Sequence, residues 1–194
     1  MICLTADEVK ARLLLPAFRI SKAGYGNAAY ITLDDAVVQA QNRLCCRPTV
    51  TPSRIIGLIN AINQWLPTSS SRLLWVNAWS CFYPSLYAAF HAIRVSAGES
   101  RRIEDAAGHF FPDHNYGIDD QLEVSDKQST DVALLIGLIS IILMEEWIAI
   151  LISEQRGDMV EFWEGNIIFS SASVNNIARA RKIASEFNLV EGLR

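Results

Sequence analysis

The chain has 194 residues, and 51% of them are hydrophobic, which excludes an intrinsically disordered protein and predicts a sizeable buried core. Its four cysteines are too few to make a disulfide scaffold of a chain this long. The formal net charge is −4, whereas a nucleic-acid-binding protein carries a basic surface, so no nucleic-acid partner is predicted.

The first part of the chain is predicted to be mainly helical. A capping box at residues 5–8 begins a short helix that ends near residue 16, and glycines between two β-prone pieces make residues 18–33 a loose hairpin. Apolar residues at helical spacing predict a second helix over residues 33–44. A threonine followed by a proline begins a third helix, between residues 51 and 67.

The middle of the chain is less regular. Residues 73–79 fit a strand or a helix, because a short apolar run matches either period, whereas residues 86–93 predict a helix. Residues 99–126 form the least regular and most acidic stretch. A buried helix is predicted over residues 130–146. Its uncharged part, residues 132–144, is shorter than the roughly 20 residues that cross a bilayer, so we expect a soluble protein with no membrane partner.

The last third predicts a small sheet followed by a helix. Strands at residues 148–153, 159–163 and 167–170 form a three-strand meander, and Ser173 caps a final amphipathic helix. The predicted fold class is therefore α+β, with a helix-rich N-terminal part, a small antiparallel sheet of about three strands and a closing C-terminal helix.

The chain is predicted to be one domain in the cytoplasm. Residues 1–194 are expected to fold as a unit, and the three serines at residues 69–71 offer an alternative boundary. The first residues lack the basic and apolar regions of a secretory signal. The cysteine spacing fits neither zinc knuckles nor a disulfide framework, so free thiols in a reducing cytoplasm are expected.

One loop carries residue types that bind metals. His109, Asp113 and His114 bring imidazole and carboxylate groups together, as in a metal-assisted hydrolase. Pro112 prevents the helical display that such ligand pairs use in metalloproteases. The prediction is therefore that the chain holds no metal and no cofactor, and the hydrolase is kept as an alternative function.

A thiolate–imidazole pair is a second catalytic possibility. Cys81 would act as the nucleophile, with His91 or His109 as its base. The aromatic residues around Cys81 predict a buried thiol, and burial raises the pKa of a thiol, which is the opposite of activation. No catalytic residue is assigned.

Charge is distributed unevenly along the chain. Residues 99–126 carry eight acidic and two basic residues, a net charge of −6, while the rest of the chain carries a net charge of +2. Such a segment is a solvated loop in one interpretation and a surface that attracts a basic partner in the other. The residues predicted to bind the partner are Asp113, Asp119, Asp120, Glu123 and Asp126.

The C-terminal portion, from Thr130 to Leu189, has a recognisable order of elements. An apolar helix runs into Glu145-Glu146-Trp147, and a strand, a hairpin over residues 160–171 and a terminal helix follow. This order resembles the closing unit of bacterial immunity proteins, which neutralise polymorphic or contact-delivered toxins. The resemblance implies a non-catalytic cytoplasmic protein that binds a cognate toxin and blocks its active site.

The leading functional prediction is therefore an immunity protein. Its acidic residues would face a cationic surface of the toxin, such as the nucleic-acid-binding cleft of a nuclease. Besides the hydrolase, the alternative is a non-catalytic adaptor or subunit whose aromatic segment, residues 75–90, packs against another chain.

Overall fold

The computed structural model describes the backbone of residues 1–12, 18–22, 29–33, 42–49, 51–67, 71–77, 81, 84–112, 126–153 and 158–192. Within these ranges the chain forms ten strands and five helices. The strands are β1 (Ile2–Leu4), β2 (Phe18–Lys22), β3 (Ala29–Leu33), β4 (Asn42–Arg47), β5 (Arg72–Val76), β6 (Gly108–Phe111), β7 (Ala149–Ser153), β8 (Met159–Trp163), β9 (Asn166–Ser171) and β10 (Val190–Glu191). The helices are α1 (Ala6–Arg12), α2 (Pro52–Trp65), α3 (Pro84–Ser96), α4 (Asp126–Met144) and α5 (Val174–Glu186).

Eight strands form one antiparallel sheet in the order β1-β6-β5-β7-β8-β9-β4-β10, and β2 and β3 pair as a separate hairpin. Strands from before and after residues 69–71 are hydrogen-bonded neighbours in this sheet, because β4 pairs with β9 and β1 pairs with β6. The sheet therefore joins segments that are far apart in sequence.

The predicted fold class is wrong in the size of its sheet and in its helix-rich N-terminal part. The sheet has eight strands instead of about three, and four of them (β1, β4, β5 and β6) precede residue 112. Residues 42–47 form β4, where the second predicted helix was expected to end. Leu44 and Cys46 are buried in alternation there, which is the period of a strand, and pairing with β9 holds the segment extended. Residues 34–41 lie outside the described part.

Strand β6 lies within the acidic segment that was expected to be irregular. All four of its residues, Gly108–Phe111, are buried, and β1 and β5 flank it on either side. A strand that is covered on both faces has no alternation of apolar and polar residues. The only local signal for β6 is a short apolar run, and the spacing of apolar residues in so short a run does not distinguish a strand from a helix.

One face of the sheet carries helices α2 to α5. A row of cross-strand neighbours, among them Leu74, Leu151 and Phe169, packs against apolar side chains of these helices such as Ile59 and Leu138. The opposite face carries a second, smaller apolar cluster. Its members are Leu4, Val9, Leu73, Trp75, Ala107, Phe110, Ile150, Ile152 and Met159. Strands β5 and β7 are consequently buried at every position.

Several local predictions are confirmed. The amide of Thr5 donates to the carboxylate of Glu8 at 2.6 Å, and the amide of Glu8 donates to the Thr5 hydroxyl at 3.2 Å, which is the reciprocal capping box. The hairpin over residues 18–33 is β2 and β3. The meander is β7, β8 and β9, and the Ser173 hydroxyl caps α5 by accepting from the amide of Asn176.

The long apolar helix, α4, begins at Asp126, four residues earlier than predicted, and one face of its C-terminal half is buried, through Leu135, Leu138, Ile139 and Ile142. It packs against both α2 and α3. None of the helices in the described ranges has the length and apolar character needed to cross a membrane.

Candidate functional site

Most of the acidic residues predicted to bind a partner lie outside the described part of the chain. Asp113, Asp119, Asp120 and Glu123 belong to the undescribed residues 113–125. Asp126 begins α4, and only its backbone is described. Their role in binding therefore stays a prediction.

Two other acids of the same segment are paired with the segment's own arginines. The Glu99 carboxylate accepts hydrogen bonds from the Arg101 guanidinium at 2.8 to 3.1 Å, and these bonds lower the pKa of Glu99 to about 2. Glu104 accepts from the Tyr87 hydroxyl at 2.8 Å and lies 3.5 Å from Arg102. Glu99 and Glu104 are thus locally neutralised and contribute little to an anionic surface.

His109, the described member of the predicted metal-binding loop, is a core residue. It is fully buried, and its Nδ1 donates to the carbonyl of Leu74 at 3.2 Å while Phe90 packs edge-on at 5.5 Å. Burial, helped by the charge of Arg94, lowers the pKa of His109 to about 3, so the ring is neutral. Asp113 and His114 lie outside the described residues. Where the side chains are described, no three histidine, cysteine or acidic residues are grouped to hold a metal ion.

The four cysteines are free. Burial raises the pKa of Cys46 to about 11 and also raises the pKa of Cys3, so both thiols stay protonated. The register places Cys3 directly opposite His109. Cys81, which was predicted to be a buried and inert thiol, is half-buried. The aromatic segment 75–90 begins and ends in the core, since Trp75 and Phe90 are each 1% exposed.

A groove opens at the end of the sheet where β4 and β8 end and where α4 ends. It has a volume of about 160 Å³, and we call it the end groove. Its lining residues are Arg47, Pro48, Ile55, Leu143, Met144, Glu146 and Gly165. Two exposed apolar side chains lie on or beside these residues: Met144 (56% exposed) lines the groove, and Val190 (57%) is the β-partner of Arg47.

The position of Glu146 in the end groove depends on the C-terminal cap of α4. The amide of Trp147 donates to the carbonyl of Ile142 at 3.0 Å, which is the six-to-one hydrogen bond of a Schellman motif. The residue between them that adopts the left-handed conformation is Glu146, with φ of 55°, at a position where glycine is usual. A left-handed conformation costs a residue with a side chain roughly 1–2 kcal/mol.

The β8–β9 turn forms the neighbouring wall. Glu164 and Gly165 both have positive φ, 47° and 76°, as a two-residue type I′ turn requires. A Cβ at Gly165 would lie 2.9 Å from the carboxylate of Glu146, so only glycine lets this carboxylate lie against the turn. Glu146, which lines this side of the groove, therefore has a strained backbone conformation, and strain of this kind concentrates at functional sites.

Arg47 supplies the opposite charge. It comes from the end of β4, whereas Glu146 comes from the end of α4. Both side chains are exposed, and neither makes a hydrogen bond or ion pair with any residue that the structure describes. Among the described residues, the end groove thus combines an apolar floor with a cation, Arg47, and an anion, Glu146, that are not paired with each other.

Charge counting along the sequence does not find this site, because Arg47 and Glu146 are distant in sequence and neither lies in a charged segment. The sequence contains one relevant signal, the Glu164-Gly165-Asn166 connection, which predicts a tight turn. That Glu146 lies against this turn follows only when the end of α4 is known.

No family model matches the chain, and comparison with curated proteins and with solved structures finds no significant similarity. The resemblance of residues 130–189 to immunity proteins therefore stays a prediction.

Proposed function

We propose that this chain is a non-catalytic binding protein of the immunity type, which acts in the cytoplasm by binding a cognate toxin and blocking its activity. The order of elements in residues 130–189 supports this class, and the end groove supports binding as the mode of action. Occluding a toxin requires affinity and no nucleophile, which agrees with a neutral, buried His109 and with the raised pKa values of Cys3 and Cys46.

The observation that carries the proposal is the exposure of Met144 in the end groove and of Val190 beside Arg47. Exposed apolar side chains that are bordered by charged ones are typical of protein–protein contact sites. Covering such side chains contributes roughly 25 cal/mol for each Å² of apolar area removed from water, and this contribution offsets part of the entropic cost of association. Methionine and arginine, both present here, are enriched at these sites.

The test begins with affinity capture from lysate and secretions of the source cells, followed by expression of each captured protein in a host. We expect one captured protein to arrest growth and co-expression of this chain to restore it. Met144→Asp, which puts a charge on the groove floor, is expected to weaken binding by about tenfold or more and to abolish protection. The matched control is Val95→Asp on α3, because Val95 is 51% exposed and does not line the groove.

Two results would contradict the proposal. If no captured protein is toxic, the chain is not an immunity protein. If Met144→Asp protects as well as the unmodified chain at equal abundance, the end groove is not the contact site.

A further inference from the structure

The end groove also indicates what kind of side chain it receives. We propose that it binds a single aromatic side chain of the partner, and that a carboxylate next to this side chain pairs with Arg47. This inference rests on the proposed function, because it assumes that the partner is a protein that contacts the groove.

The volume of the groove sets the size of its occupant. At about 160 Å³ it is close to the 150 Å³ of an engineered apolar cavity that takes up benzene. One aromatic ring fills such a space, whereas a helix or a strand of the partner does not fit. The contact is therefore an inserted side chain on a protruding segment.

The lining residues favour a ring over an aliphatic side chain. The thioether of Met144 makes favourable contacts with ring edges, and it is flexible enough to close over one. The planar guanidinium of Arg47 stacks on aromatic faces. Ile55 and Leu143 supply the remaining apolar wall.

The charges at the rim determine the residue next to the ring. Arg47 presents hydrogen-bond donors in a fork that matches a carboxylate, and no described residue occupies them. On the other side, the carboxylate of Glu146 would repel an acidic residue. An aspartate or glutamate of the partner therefore fits only on the Arg47 side, which gives the bound segment one direction.

The probe is a blocked tetrapeptide in which aspartate precedes phenylalanine. Two matched peptides carry asparagine in place of the aspartate or alanine in place of the phenylalanine. Binding to the full chain is followed by NMR of methionine methyl groups, because Met144 is exposed at the groove whereas Met159 is buried in the opposite cluster and serves as an internal control. We expect the aspartate–phenylalanine peptide to shift the Met144 signal and to leave the Met159 signal in place.

The variants separate the ring from the charge. Arg47→Gln is expected to reduce affinity for the aspartate peptide about two- to fivefold, to the level of the asparagine peptide, which is the range for an exposed ion pair. Met144→Asp is expected to abolish binding of both peptides, and Val95→Asp to leave it unchanged.

Equal binding of the alanine peptide, or no shift of Met144 with any peptide, would overturn the inference. So would light scattering that shows a dimer lost in Met144→Asp, because a second copy of the chain would then fill the groove. If no peptide binds but Met144→Asp still abolishes protection against the toxin, the proposed function holds and only the aromatic-and-acidic specificity fails.

Discussion

Arg72 and Arg94 are among the largest fully buried side chains of the described chain, and both donate to backbone carbonyls. Arg72 donates to the carbonyls of Asn63 and Pro67 at 2.9 and 3.2 Å, near the end of α2, and Arg94 donates to the carbonyl of Ala106 at 2.8 Å. Carbonyls at helix ends and in buried loops lack backbone partners, so these arginines satisfy groups that would otherwise destabilise the fold. A charged residue in a sequence is normally assigned to the surface, and nothing local marks these two as exceptions.

Burial of His109 predicts a pH-dependent stability. Its pKa is about 3 in the folded chain against 6.5 for an unperturbed histidine, so between these values the unfolded state binds more protons than the folded state. The free energy of unfolding should therefore fall as the pH drops below 6.5, by on the order of 4 kcal/mol when pH 3 is reached. Urea denaturation at a series of pH values measures this decrease in the free energy of unfolding.

A control separates the contribution of His109 to this pH dependence from the contribution of the Glu99 carboxylate. The pKa of Glu99 is lowered from 4.5 to about 2, so its contribution to stability is lost only below pH 4.5. The change between pH 6.5 and 4.5 should therefore vanish in His109→Gln and persist in His91→Gln. A slope between pH 6.5 and 4.5 that survives in His109→Gln would show that a group other than His109 causes the pH dependence.

At the scale of elements, the end of α4 links stability to the site. Glu146 holds the left-handed position of a Schellman motif, where glycine has no steric cost. We expect Glu146→Gly to raise the free energy of unfolding by about 0.5–1 kcal/mol, measured by urea denaturation. The same substitution should strengthen binding of the aspartate–phenylalanine peptide, because it removes the carboxylate that repels an acidic residue at the end groove.

The neighbouring residue provides the comparison. Glu145 does not have positive φ, so Glu145→Gly should lower the free energy of unfolding by roughly 0.5–1 kcal/mol, since glycine loses more backbone entropy there. If both substitutions changed stability in the same direction, the backbone strain assigned to Glu146 would be wrong.

At the scale of the whole molecule, the charge distribution predicts how the partner approaches. The pairing of Glu99 with Arg101 and of Glu104 with Arg102 uses both bases of the acidic segment and leaves its six other acids without a basic residue in the segment. Asp119→Lys together with Asp120→Lys should therefore slow association with a basic partner much more at low salt than at high salt. Stopped-flow mixing at two salt concentrations measures the association rate.

The control makes the same change of charge elsewhere. Asp7→Lys with Glu186→Lys alters two exposed acids on α1 and α5 and should affect the rate less. If the rate constants with Asp119→Lys and Asp120→Lys match those of the unmodified chain at both salt concentrations, the acidic segment takes no part in binding.

The sequence by itself determined the elements whose signals are local. The capping box at Thr5, the proline start of α2, the meander of β7 to β9 and the Ser173 cap each depend on residues within a few positions of one another. Local chemistry of this kind acts before any tertiary contact forms, so it can be read directly from the chain.

Only the tertiary structure decided the size of the sheet and the position of the end groove. β1 and β6 are short, and β1, β4 and β6 are strands because β6, β9 and β5 pair with them across long sequence separations. Arg47 and Glu146 become neighbours for the same reason, since that pairing brings the end of β4 beside the end of α4. Hydrogen bonding and burial between distant segments supply the free energy of these arrangements, and no window of the sequence contains both partners.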